Sequence, residues 1–129
     1  MNKKTLLIIA LIILALIWGA SNIKKPPLNT PVSTKDTVLY YGDTCPHCKD
    51  LDELIKKDNI KEKVSFTEKE VFENRENANE LAQVARNCGL SDASIAVPFL
   101  FAEGKCLSGT EDIFAYLEKK ASSSATGTN

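Results

Sequence analysis

YYGDTCPHCKDLDELIKK, residues 40–57, decides the fold of this 129-residue chain. The stretch holds two of the four cysteines and the only histidine. Upstream, Val38-Leu39-Tyr40-Tyr41 is a short apolar run that stops at Gly42-Asp43, the pattern of a buried strand ending in a turn. Downstream, Leu51, Leu54 and Ile55 recur at helical spacing with charges between them. Pro46 suits the first helical turn, where a missing N–H costs nothing. Cys45-Pro46-His47-Cys48 therefore opens a helix directly after a strand and a turn, which is a redox arrangement.

The chemistry follows from that placement. At a helix start, unpaired N–H groups and the macrodipole favour an anion, so Cys45 is the predicted nucleophile. Disulfide exchange proceeds by thiolate attack. Two intervening residues let Cys48 reach back over one helical turn as the resolving thiol. His47, when protonated, adds to the same field. A zinc half-site is the competing reading. It lacks a second closely spaced ligand pair, because Cys88 and Cys106 stand far apart and no other histidine exists, so no metal is expected.

Outward from the motif, Val64-Ser65-Phe66-Thr67 alternates as a second strand, and Arg75 to Asn87 reads as a helix. Asn77 with Glu80 resembles a capping box for it, and Gly89 is placed to end it. Val97-Pro98-Phe99-Leu100-Phe101 is a third strand, and Glu103-Gly104 turns into a fourth at Lys105-Cys106-Leu107. A final helix runs from Glu111 to Lys119 with Ile113, Phe114 and Leu117 inward. The order is β-α-β-α-β-β-α, an α/β domain over residues 37–120, and the serine-rich residues 121–129 read as a disordered tail.

Sixteen basic and seventeen acidic residues nearly cancel, and no basic stripe carries interleaved aromatics, so nucleic acid is not an expected partner. Residues 1–23 are different in kind. After Lys3-Lys4, the run from Thr5 to Ile23 carries no charge. A helix over it would rise about 28 Å, close to the thickness of a bilayer core. The segment reads as an uncleaved transmembrane anchor, with a cleavable signal peptide as the alternative. Residues 24–36, with Pro26, Pro27 and Pro31, read as an extended tether. The short, signal-like basic head favours an N-terminus on the cytoplasmic side of the cell membrane, so the domain is expected outside the cytoplasm.

At the motif, the chain resembles the thioredoxin-like superfamily. C-P-H-C is the pattern of a periplasmic thiol oxidant, while Ala96-Val97-Pro98 and Gly104–Asp112 (GKCLSGTED) resemble glutaredoxins. The resemblance implies a four-stranded mixed sheet flanked by helices and a cis proline at Pro98. It also implies that Val97 and Pro98 present backbone to a substrate chain. Two departures stand out. The superfamily's buried carboxylate, six positions before the first cysteine, is replaced by Leu39. The lysine with which many glutaredoxins help hold glutathione is replaced by Gly42-Asp43-Thr44, so glutathione is not expected to be required and no other cofactor is implied.

In such a fold the helix ending at Cys88 lies on one face of the sheet. Cys106 meets it if its side chain points there, leaving Leu107 for the other face. A structural Cys88–Cys106 disulfide and two buried free thiols both remain open. The implied function is thiol:disulfide oxidoreduction outside the cytoplasm, with thiol- or disulfide-bearing proteins and a membrane redox carrier as partners. A membrane-tethered reductase and a metal-chaperone module built on the same thiolates are the alternatives.

Overall fold

The computed structural model describes residues 2–20, 32, 33 and 35–125. They fall into two units, residues 1–30 and 31–129. The first contains helix α1, Lys3–Ala20. Its described leucine and isoleucine side chains, at positions 6–9 and 11–14, are bare, with Leu7 64% and Leu14 68% exposed. Among the described residues no helix is long and apolar enough to cross a membrane. Beyond the two lysines, α1 offers a rise of only about 24 Å, and the end of the predicted anchor, residues 21–23, lies outside the described residues, as does most of the tether.

The second unit is built on a sheet in the order β2-β1-β3-β4. Strand β1 is Thr37–Tyr41, β2 Thr67–Glu70, β3 Phe99–Ala102 and β4 Lys105–Ser108. β1 pairs with β2 in parallel and with β3 antiparallel, and β3 pairs with β4 antiparallel. Helix α2 is Pro46–Lys57, α3 Ile60–Lys63, α4 Arg75–Asn87 and α5 Thr110–Ala125. The mixed sheet and the β-α-β-α-β-β-α order match the sequence reading, with α3 and a 3-10 turn at Asp92–Ser94 inserted.

The period-two alternation of the central strands divides the core in two. Leu39 and Leu100 point to one face, where Leu51, Ile55, Ile60, Ile113 and Leu117 cover them. Val38, Tyr40, Phe99 and Phe101 point to the other, beneath Leu81, Val84 and Ala85 of α4. So α2, α3 and α5 share a face, and α4 covers the opposite one alone.

Several boundaries differ from the sequence reading, each for a local reason. The second strand lies at 67–70, not 64–67. Ile60 buries fully and holds a short helix, so Val64 and Phe66 pack against the core as connection rather than as strand. The cap of α4 is Asn74, whose side chain accepts from the N–H groups of Glu76 and Asn77 at 3.1 Å. Asn77 instead donates to the Glu70 carbonyl, and Glu80 is drawn into the network of Tyr40 and Lys69. At the other end of α4, Gly89 takes φ +79, with Leu90 N–H on Ala85 O and Gly89 N–H on Arg86 O. These two bonds make the Schellman pair. Val97 and Pro98 precede β3 rather than belonging to it. The predicted disordered tail begins too early, because Ala121 is buried and the Ser122, Ser123 and Ser124 hydroxyls bond back to carbonyls one turn earlier. Residues 126–129 lie outside the described residues.

Candidate active site

The site stands where β1 gives way to α2. Tyr41 ends the strand, and Cys45 N–H donates to Gly42 O at 3.0 Å to close the turn. Cys45 is the N-cap of α2, with φ −77 and ψ 117, and Pro46 follows in the first turn. The Cys45 sulfur accepts the Cys48 N–H at 3.3 Å, the bond a capping side chain makes. Lys49 N–H donates to Cys45 O at 3.2 Å and starts the helix proper.

From across the sheet, the segment before β3 meets the same sulfur. The Val97–Pro98 bond is cis. The Cys45 thiol donates to Val97 O at 3.5 Å. Pro98 is buried, and its carbonyl accepts from Gly109 N–H at 3.1 Å. Gly109 has φ +93, a conformation open to glycine at little cost, so the turn into α5 also fixes the Val97-Pro98 segment. Thr110 adds a second tie, donating its hydroxyl to His47 O at 3.0 Å. The structure thus brings Cys45, Cys48, Val97 and Pro98 together and holds them from three elements.

Cys45 and Cys48 are free thiols of nearly equal exposure, 8% and 6%. The expected difference in burial is therefore slight, and the two thiols are told apart by their surroundings instead. Burial pushes the Cys48 thiol up to about 12, helped by its contact with Cys45 and opposed by a Gly42 backbone bond. Beside it lies a pocket of about 340 Å³ with Leu39, Leu51 and Ile55 in its wall and Lys49 at its edge. Leu39 thus supplies apolar wall where the superfamily carries a carboxylate. His47 points outward, 77% exposed, with Nδ1 3.8 Å from the Asp50 carboxylate.

Cys88 and Cys106 are joined in a disulfide, with Cα atoms 6.3 Å apart. Both sulfur-bearing residues pack on the α4 face, while Leu107 packs on the other. Among the described residues, no group of three or more His, Cys, Asp or Glu side chains is gathered to hold a metal.

Sequence reasoning missed Phe72. It lies on Gly42 so closely that a methyl group at position 42 would meet the ring at 2.4 Å. The glycine at the end of a strand was a visible signal of close approach; the partner, thirty positions away, was not.

A family model for glutaredoxin matches residues 34–107. No curated protein matches the chain. Among solved structures, the holo form of glutaredoxin C1 from Populus tremula x tremuloides is 16% identical. The match covers 71% of this chain and 88% of that one, with a TM-score of 0.50. A buckwheat glutaredoxin–glutathione complex is also 16% identical, covering 74% and 81%, with a TM-score of 0.50. Oxidized glutaredoxin 2 from Chlamydomonas reinhardtii is 22% identical, covering 71% and 84%, at 0.49.

Proposed function

The chain belongs to the glutaredoxin family, and from that premise we propose that it is a thiol:disulfide oxidoreductase that oxidises protein dithiols outside the cytoplasm. One observation carries the chemistry: a cysteine sulfur capping a helix, bonded to the next cysteine's N–H at 3.3 Å and 3.5 Å from the half-buried Val97 carbonyl.

In the oxidising direction, a substrate thiolate attacks Cys45 Sγ of the Cys45–Cys48 disulfide, and Cys48 leaves as a thiolate and takes up a proton. The substrate's second thiolate then attacks the sulfur of its own mixed-disulfide cysteine. That expels Cys45 as a thiolate, which the helix N-terminus accommodates. Two electrons pass from the substrate dithiol to the domain, and one disulfide is formed for one reduced. The reductase runs the same steps backwards: Cys45 attacks a substrate disulfide, and Cys48 resolves the mixed disulfide. Val97 and Pro98 lie where a chain joined to Cys45 must pass.

The direction and the location rest on other features. The Cys88–Cys106 bond suits an oxidising compartment. The bare leucines and isoleucines at positions 6–9 and 11–14 suit a segment that meets lipid, with the run Thr5–Ile23 tethering the domain to the outer face of the membrane. A membrane redox carrier then returns Cys45–Cys48 to the disulfide.

Trapping tests the assignment. Cys48→Ala, its Cys45 reduced, should attack a disulfide-bearing protein substrate and accumulate the mixed disulfide with release of the substrate's other thiol, and Cys45→Ala should not. Equal trapping by both variants would remove the proposed division of roles. Equilibrating Cys45–Cys48 with a glutathione buffer sets the direction, since an oxidant lies at the high end of the known range of potentials.

A further inference from the structure

Phe72 and Gly42 form a feature that thiol exchange alone does not explain. Phe72 is 52% exposed, yet it is held in place rather than left loose. The Glu70 carboxylate accepts the N–H groups of Phe72, Glu73 and Asn74 at 2.7, 2.9 and 3.1 Å. That clamp fixes the backbone that carries the ring, and Gly42 gives the ring a flat seat. Beside it, Val71, Phe72, Leu81, Ile95, Ala96 and Val97 line an apolar cleft of about 240 Å³. Val97 is the residue whose carbonyl meets the Cys45 sulfur, so the cleft begins where a chain bonded to Cys45 lies.

We infer that this cleft is a side-chain subsite, in which Phe72 selects protein chains with an uncharged apolar residue beside the reacting cysteine. The inference rests on the oxidoreductase reading above and names its substrate class. Charge restricts the occupant further. The Glu70 carboxylate, held on the backbone of Phe72, presents a negative field on that side of the cleft. Glu73 lies within the same clamped turn. An anionic thiol such as glutathione meets repulsion there, and a basic side chain at position 42 has no room. A neutral apolar side chain buries surface against Phe72, Ile95 and Val97 without opposing that field.

The test uses the full chain with Cys45 and Cys48 reduced. The probes are blocked peptides whose single cysteine is disulfide-linked to 2-mercaptoethanol. One peptide flanks the cysteine with leucines, a second with serines, a third with glutamates. Each turnover oxidises Cys45–Cys48 to the disulfide and releases the peptide thiol and 2-mercaptoethanol. The second-order rate should favour the leucine peptide over the serine peptide by about tenfold, the discrimination one apolar side chain supports. The glutamate peptide should be slowest. Phe72→Ala should bring the leucine-to-serine ratio close to one, while Phe72→Trp should keep it. Gly42→Ala, which displaces the ring, should lower the ratio as Phe72→Ala does. An unchanged ratio in Phe72→Ala, or no preference in the parent chain, overturns the subsite. Bis(2-hydroxyethyl) disulfide separates the two levels of failure. If it oxidises the parent pair while the peptides show no preference, only the subsite falls. If neither it nor any peptide reacts, the oxidoreductase reading falls with it.

Discussion

Replacing both Cys88 and Cys106 by alanine should cost the domain about 3 kcal/mol. The bond joins residues separated by 18 positions. In the chain-entropy account, closing a loop of that length removes about 3 kcal/mol of freedom from the unfolded chain at 25 °C. Truncating two half-buried residues on the α4 face adds a smaller loss of the same sign. For a domain of this size, about 3 kcal/mol corresponds to a fall in Tm of roughly 12–24 °C. The assay is urea unfolding followed by far-UV circular dichroism. It is run on Cys45→Ala/Cys48→Ala chains, so that the redox state of the active pair cannot shift with that of the bridge. The parent should have the higher midpoint and a shallower slope than the double replacement, because the bond keeps its unfolded chain more compact. A loss below about 1 kcal/mol would refute the argument, because the unfolded chain would then not be restrained by the bond. The loop also contains Val97 and Pro98, so trapping through Cys45 in the Cys48→Ala chain should weaken when Cys88→Ala/Cys106→Ala is added.

Brief alkylation of the reduced chain near pH 7 should label Cys45 ahead of Cys48, and fragment-ion mass spectrometry of the tryptic peptide 36–49, which holds both, reads the order; Cys48 first would reverse the roles. Because the folded Cys48 thiol is raised from 9.0 to about 12, the fold favours its neutral form. That contribution is full below the unfolded value near 9 and is lost as pH rises through about 12, at no more than about 1.4 kcal/mol per pH unit. Urea midpoints of the reduced parent should therefore fall between pH 9 and 11 faster than those of Cys48→Ala, and parallel profiles would contradict the cause given. Glu80→Ala should cost about 1–3 kcal/mol, since Tyr40 and Lys69 both lose their acceptor in a partly buried place; Tyr40→Phe should cost less, as Glu80 keeps Lys69, and both are read by chemical unfolding. Gly109→Ala, at φ +93 with open space around it, should cost about 1 kcal/mol through backbone strain alone, visible as a lower Tm.

The parts of this domain that were legible in its sequence are those set by neighbours along the chain. C-P-H-C after a strand and a turn is a local pattern, and the structure places both cysteines at the helix start it implies. The span of α4 was readable because its apolar residues recur on one side and Gly89 ends it. Its cap was not, because Asn74 and Asn77 are both plausible donors of a capping oxygen, and only the position of Glu70 sends Asn77 elsewhere. The second strand was misplaced by Val64 and Phe66, whose alternation satisfies a strand pattern while their burial serves α3 and α5. Thr67–Glu70 looks like a solvated linker because its charges are used individually: Glu68 with Lys61, Lys69 with Glu80, Glu70 on the backbone of the next turn. The contact of Phe72 with Gly42 depends on two strands being parallel neighbours, information that no window of sequence contains.

The strand order has a consequence for how copies of this chain meet at high local density, as tethering to a surface would impose. An open sheet has two margins whose unpaired N–H and C=O groups can template further strands, the first step of aggregation. Here the most apolar strands, β1 and β3, lie in the middle, and the margins are β2 and β4. β2 is Thr-Glu-Lys-Glu, whose like charges repel a second copy laid alongside in register. β4 is Lys-Cys-Leu-Ser, and the bridge from Cys106 to Cys88 pins it so that it cannot peel away and exchange with a neighbour. One margin is guarded by charge and the other by a covalent bond. Reduction of that bond, rather than any change at Cys45, is then the event that opens the domain to strand exchange between copies.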